Sequence, residues 1–296
     1  MESQSGFFIN PQEADEGISF LERVHSEGAG FTELYRSRQG GKNRLYKCLK
    51  QELRGNPLYE NLLRKEFEIG FVMSHPGICE YYAFLQKTQL GHCIEMEWID
   101  GKTLSERIKE KSLSKKTSVK ILLDLCDALS YMHRKQIIHR DLKPENIMVT
   151  DNGDNVKIID FGFSDSDSHF LGKTPAGTRE FASPELLEGK EIDCRSDIYS
   201  LGKIICLLPA GLSSIAKKCT QKDKQNRYGS AEEVKQAILK SQSKRRWPII
   251  LGILLCVVGI LLYLAKKRAE NKVYKMFEET RDLIIETGSP EPSEQE

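Results

Sequence analysis

The octet His139-Arg140-Asp141-Leu142-Lys143-Pro144-Glu145-Asn146 constrains this chain more than any other stretch, because Asp160-Phe161-Gly162 follows fourteen residues after Asn146. Apolar runs at Ile137-Ile138 and Ile147-Met148-Val149 bracket the octet. Asp151-Asn152-Gly153-Asp154 reads as a turn, after which Val156-Lys157-Ile158-Ile159 delivers Asp160 from the end of a strand. A chain laid out this way has to bring a carboxylate, a lysine, an amide and a second carboxylate to one place. An isolated aspartate in a turn is ordinarily a cap. The weight therefore rests on octet and triplet together.

The 296 residues leave room for one large domain or two small ones. A net charge of +1 and a pI near 7.5 give no global basic field, so no nucleic-acid partner is expected. Eight cysteines are scattered without a C-x-x-C pair. They suit free thiols in a reducing compartment better than zinc or a disulfide framework. Met1 to Ser19 lacks the basic start and apolar core of a signal peptide.

One segment breaks the polar pattern. Residues 248–265, PIILGILLCVVGILLYLA, carry no charge over eighteen residues. As a helix they would cover roughly 27 Å, close to a bilayer core. Trp247 and Tyr263 lie near the ends, and Lys244-Arg245-Arg246 and Lys266-Lys267-Arg268 flank the run. The sequence thus predicts one transmembrane helix, with the lipid bilayer as a partner through 248–265. The alternative is a buried helix of a soluble domain. The flanking charges cancel as orientation signals.

Periodicity organises the rest. Residues 18–50 read as strands joined by a glycine-containing loop, including Leu45 to Leu49. Helical spacing predicts helices over Tyr59 to Met73, Val119 to Arg134, Ile198 to Leu208 and Ala231 to Leu239, the last capped by Ser230 with Glu233 at N3. Residues 163–182 read as an exposed loop. A charged amphipathic helix is expected over 269–286, and residues 288–296 have the composition of a disordered tail.

In-line phosphoryl transfer needs phosphates held with a divalent ion, a cation among them and an oriented hydroxyl. Asp141 is the candidate base, and Lys143 lies beside it to meet the transferring oxygens. Asn146 and Asp160 offer the hard oxygen ligands that Mg²⁺ prefers.

With these residues in place, the chain resembles the eukaryotic-type serine/threonine protein kinases from about residue 18 to 240. The resemblance implies an α+β fold of two lobes, a small β-rich N-lobe and a helical C-lobe. It implies ATP with Mg²⁺ (Mn²⁺ as an alternative) and a protein substrate with a Ser or Thr acceptor. Arg44-Leu45-Tyr46-Lys47 takes the place of V-A-I-K, so Lys47 is the expected phosphate lysine. Glu66, nine residues before His75-Pro76, is its expected partner. Met96-Glu97-Trp98-Ile99 resembles the hinge, with Met96 behind the adenine and the backbone of Glu97 and Ile99 on its edge. Thr178, in Gly177-Thr178-Arg179, matches the threonine that bonds both Asp141 and Lys143. Lys143 itself points to the serine/threonine subgroup. Asp197 resembles the aspartate that braces the catalytic loop, and Arg227 the arginine that pairs with Glu185 of Ser183-Pro184-Glu185. Ser164, Ser166, Ser168 and Thr174 are candidate phosphorylation sites, with Arg140 to receive the phosphate. A small-molecule kinase is disfavoured, because Thr178 and Ser183-Pro184-Glu185 resemble a peptide-binding platform.

Two departures stand out. Gly28-Ala29-Gly30 begins a glycine loop in which Glu33 holds the third glycine position, and a second register places Glu27, Ala29 and Thr32 there instead. Fewer glycines leave less freedom to fold backbone N–H groups over the phosphates, and a carboxylate near the triphosphate would be repulsive. This glycine-poor loop supports an alternative reading as a weakly active or inactive kinase-like scaffold that binds nucleotide or a protein partner at the membrane. Only thirty residues separate Asp197 from Arg227, so the C-lobe is expected to be shortened. The expected layout is an N-terminal extension (1–17), a kinase domain (18–240), a basic linker (241–247), the span (248–265) and a short distal tail (266–296). The kinase domain would face the cytoplasm from a bacterial inner or plasma membrane. Self-association and autophosphorylation are further expectations.

Overall fold

The computed structural model describes the backbone of residues 21–24, 30–161 and 178–287, and their side chains except at 39, 87, 88, 178, 244–253, 284, 286 and 287. Five antiparallel strands form the upper lobe: β1 (Glu22–Val24), β2 (Thr32–Gln39), β3 (Lys42–Leu49), β4 (Tyr81–Thr88) and β5 (Gly91–Glu97), in the order β1-β2-β3-β5-β4. Gly40 and Gly41, at φ +54° and +80°, close the two-residue hairpin between β2 and β3. Positive φ at both turn positions matches the strand twist and favours glycine.

Against this sheet lies α1 (Pro57–Phe71). Asn56 caps it by accepting the Leu58 N–H, and Pro57 stands at its first position. Leu62, Leu63, Glu66 and Gly70 form its buried face, as i, i+4 spacing dictates. A carboxylate is thereby carried into the interior.

The lower lobe contains β6 (Gly101–Thr103), α2 (Leu104–Lys109), α3 (Lys115–Arg134), β7 (Ile147–Thr150), β8 (Val156–Ile158), α4 (Pro184–Leu187), α5 (Arg195–Leu207) and α6 (Ser213–Cys219), followed by α7 (Ala231–Thr287). Helix α3 begins before the apolar pattern does, because Ser114 accepts the Thr117 N–H as its cap. Its Ile121, Leu122, Leu125, Leu129 and Met132 are fully buried. The antiparallel β7–β8 pair sets the octet and Asp160 at neighbouring strand ends. Ile159 N–H then donates to the Asn146 carbonyl at 3.0 Å. The expected two-lobed α+β architecture is therefore the observed one.

Between α5 and α6 the chain needs only residues 208–212. The two helices meet closely at Gly202, where an added Cβ would lie 2.5 Å from Cys219 Cβ and 2.8 Å from Thr220 Cγ2. Gly202→Ala is expected to lower stability by about 1–3 kcal/mol through overpacking. Denaturant unfolding measures this, and an unchanged midpoint would show that α6 yields.

One expectation is overturned. Among the described residues no helix is long and apolar enough to cross a membrane. The apolar run is the interior of α7, which extends from Ala231 to Thr287 instead of ending near Leu239. Its side chains at 248–253 lie outside the described residues. The transmembrane helix at 248–265, the bilayer as a partner, the membrane-anchored form and the single-pass membrane location are accordingly not supported. The chain divides into two compact units, Met1–Leu239 and Lys240–Glu296.

Candidate active site

Strand β3 presents Lys47 and α1 presents Glu66, and the two meet in the interior. Lys47 Nζ donates to Glu66 Oε1 at 2.7 Å and to Asp160 Oδ1 at 3.1 Å. Burial alone would pull the lysine pKa down, but Asp160 and Glu66 outweigh it, so the ammonium is held charged. For Glu66, burial dominates over Lys47 and the pKa rises. Asp160 sits at φ +68°, a left-handed conformation uncommon for a residue with a Cβ. In that conformation its carboxylate reaches Lys47, 113 residues away in sequence.

On the lower side, the octet folds back on itself. Lys143 Nζ donates to Asp141 Oδ2 at 2.8 Å, and Asn146 Nδ2 donates to the same oxygen at 3.0 Å and to the Asp141 carbonyl at 2.9 Å. Asp141 Oδ1 is buried and has no hydrogen-bond partner among the described residues. Burial lifts the Asp141 pKa above its ordinary value, Lys143 opposes the rise, and the charge of Asp160 adds to it. Asp197 supports the loop from beneath, accepting the N–H groups of His139 and Arg140, each at 2.9 Å, and facing His133 Nε2 at 2.8 Å. Burial would raise the Asp197 pKa, yet these donors hold it low. The sequence-predicted brace is thus present.

The connection between lobes runs through Met96, Glu97, Trp98 and Ile99. Met96 is buried, opposite Leu45 on β3. Glu97 N–H donates to the Glu80 carbonyl at 2.8 Å, and its carbonyl accepts from the Cys79 thiol at 3.8 Å. The Glu97 N–H is thus already engaged within the protein. Lys157 holds the Glu97 side chain at 2.8 Å.

Gly28 and Ala29 lie outside the described residues, as do Gly162, Ser164, Ser166, Ser168, Thr174 and the side chain of Thr178. Gly30 is described, and a Cβ there would meet nothing within 4 Å. Glu33 is not where the loop register put it. Leu34 pairs with Lys47 in the sheet, so alternation turns Glu33 to the opposite face with Cys48. Arg23 at 2.7 Å and Tyr35 Oη at 3.0 Å hold its carboxylate there. The expected repulsion of a triphosphate has no geometric basis.

Asn146 and Asp160 supply oxygen donors near one another, and with its Nδ2 engaged Asn146 keeps its amide oxygen for a ligand. Such a hard, sparse set fits Mg²⁺, which binds through one or two protein groups plus substrate phosphates and water. Sequence reasoning missed one participant. Tyr81, at the start of β4, donates its hydroxyl to Glu66 Oε1 at 3.0 Å. The available signal was Gly70, a glycine inside a helical pattern, which costs about 1 kcal/mol unless packing requires it.

Residues 28–287 match the protein kinase domain family. A probable serine/threonine-protein kinase of Streptomyces coelicolor is 33% identical over 191 residues, covering 60% of this chain and 28% of that protein. Serine/threonine-protein kinase PknB of Mycobacterium tuberculosis is 34% identical over 168 residues, covering 54% of this chain and 27% of PknB. A probable PknB of Bifidobacterium longum is 30% identical over 247 residues, covering 67% and 36%. The chain thus spans well under half the length of these relatives. The crystal structure of the M. tuberculosis PknI kinase domain superposes with a TM-score of 0.59 at 20% identity, covering 78% of this chain and 98% of that one, a likeness of fold.

Proposed function

This chain belongs to the protein kinase domain family, and from that premise we propose that it transfers the γ-phosphoryl group of ATP to Ser or Thr hydroxyls of protein substrates. The observation that carries the reading is Asp141. One carboxylate oxygen is fixed by Lys143 and Asn146, while the other is buried without a partner and suited to accept a hydroxyl proton. Lys47, held by Glu66, would contact the phosphates, and Lys143 the transferring group. Asn146 and Asp160 would hold Mg²⁺, which neutralises charge on the phosphates when bound. The Glu97 carbonyl and the Ile99 backbone would meet the adenine edge, with Met96 behind it. Gly28, Ala29 and Gly30 would cover the phosphates, and Thr178 would join Asp141 and Lys143. The scaffold alternative loses its electrostatic support, since Glu33 faces away from Lys47.

Purified full chain with labelled ATP and a generic basic protein tests the proposal. Label is expected on serine or threonine of the acceptor, lost on chelation of Mg²⁺ and restored by its return. An acceptor no more labelled with Mg²⁺ than with chelator would refute the assignment.

A further inference from the structure

Within the second compact unit, Lys240–Glu296, the C-terminal part of α7 carries an exposed apolar face. Ala269, Val273, Met276, Thr280 and Leu283 follow one another at alternating steps of four and three residues, the repeat that lines side chains along one seam of a helix. Val273, Met276 and Leu283 are 55%, 59% and 62% exposed, and Phe277 beside them is 74% exposed. Single apolar residues on a surface are ordinary, but a contiguous patch marks an interaction site. Thr280 does not interrupt the seam, because its hydroxyl donates to the Met276 carbonyl at 2.6 Å and is satisfied inside the helix. Charge divides along the same stretch. Residues 266–275 hold five cationic side chains against the one carboxylate of Glu270, whereas residues 276–285 hold Glu278, Glu279 and Asp282 against Arg281.

We propose that this face pairs with the same face of a second copy of the chain, the two helices running antiparallel. A parallel pair would set basic half beside basic half and acidic half beside acidic half, and like charges repel. Reversing one helix sets each basic half against an acidic one. With the seams aligned, Val273 meets Met276 of the second copy and Ala269 meets Thr280 of the second copy. Lys272, beside the seam, then lies across from Glu279 of the second copy, and two-fold symmetry makes this contact twice. In a parallel pair Lys272 would instead flank Phe277, which gives its charge no partner. The apolar seam supplies the attraction, and the flanking charges choose the partner and the orientation. The pairing stands apart from the phosphoryl-transfer reading and does not depend on it.

Sedimentation of the full chain over a range of concentrations tests the pairing, and the unmodified protein is expected to pass from monomer to dimer. Lys272→Glu and Glu279→Lys, made singly, should each weaken the dimer at least about tenfold, because both symmetric contacts turn repulsive together. Combining the two changes in one chain reverses each pair and should restore the dimer to near its unmodified affinity. Mixing the two single variants should also restore it, since every flanking contact between the unlike chains is again a pair of opposite charges. Both positions are exposed and both replacements are good helix formers, so circular dichroism should show the helix unchanged. A chain that stays monomeric throughout the range leaves the face to another partner and overturns the proposal. Dimers that ignore both single changes overturn it as well, because the apolar residues before this segment would then hold the copies together. A double variant that regains nothing would overturn the antiparallel register.

Discussion

Replacing Asp141 by asparagine is expected to lower phosphate transfer at least ~100-fold while ATP affinity stays close to that of the unmodified chain. The substitution keeps size and shape and removes the charge. It also places an amide donor where either Asn146 Nδ2 or an incoming hydroxyl requires an acceptor. Nucleotide affinity is spared because Lys47, Glu66 and Asp160 form a separate set of contacts, 2.7 and 3.1 Å long, that Asp141 does not enter. Transfer kinetics beside a binding isotherm separate the two effects. Equal rates for both proteins would remove Asp141 from the chemistry. The pH profile gives a second check. Burial raises the Asp141 pKa, and the active form is the deprotonated one, so kcat/KM should fall on the acid side at a higher pH than the ordinary aspartate value of 3.8. That limb should vanish from whatever residual rate the asparagine variant retains.

How much of this could be read from the chain depended on the range of the interactions. Asp141, Lys143 and Asn146 lie within one short loop, and Asp160 follows from an adjacent strand, so residue spacing fixes their meeting. Lys47 and Glu66 were legible only through the resemblance, because neither the strand nor the helix around them marks its charged residue as buried. Glu33 was misplaced because the face of a strand depends on its register, and a shift of one residue in the preceding loop reverses it. Tyr81 escaped notice because its hydroxyl reaches Glu66 only after β4 packs on α1, a tertiary contact with no local pattern beyond the single glycine. The apolar run at 248–265 failed differently. Hydropathy reports composition along a window, whereas the bounds of α7 are set by residues far outside it. Pro248, the first residue of the run, lies within α7.

The largest stability effect is expected at Arg227, remote from the reacting groups. Its guanidinium grips Glu185 in two parallel contacts, Nη1 to Oε1 at 2.6 Å and Nη2 to Oε2 at 2.7 Å. It also donates to the carbonyls of Gln221, Arg195 and Lys222. Ser196 Oγ completes the carboxylate at 2.8 Å. Both side chains are buried. Arg227→Ala would leave a carboxylate and three carbonyls without their donor, and breaking a buried pair in this way costs about 3–5 kcal/mol. For a domain of this size that corresponds to a fall of roughly 10 °C in Tm. Replacing both partners with apolar residues, Arg227→Met with Glu185→Leu, should cost less than the single change, because no charge is then stranded. Acid sharpens the distinction. Burial alone would raise the Glu185 pKa, but Arg227 overrides it and holds the group at about 2, below its ordinary 4.5. The pair's contribution is therefore complete above 4.5 and is lost as pH falls through about 2. Unmodified and Arg227→Ala chains should accordingly converge in stability across that interval. Curves that stay parallel from pH 5 to pH 2 would mean that the linkage lies in another group, and an alanine variant within 1 kcal/mol of the unmodified chain at neutral pH would mean that solvent reaches Glu185.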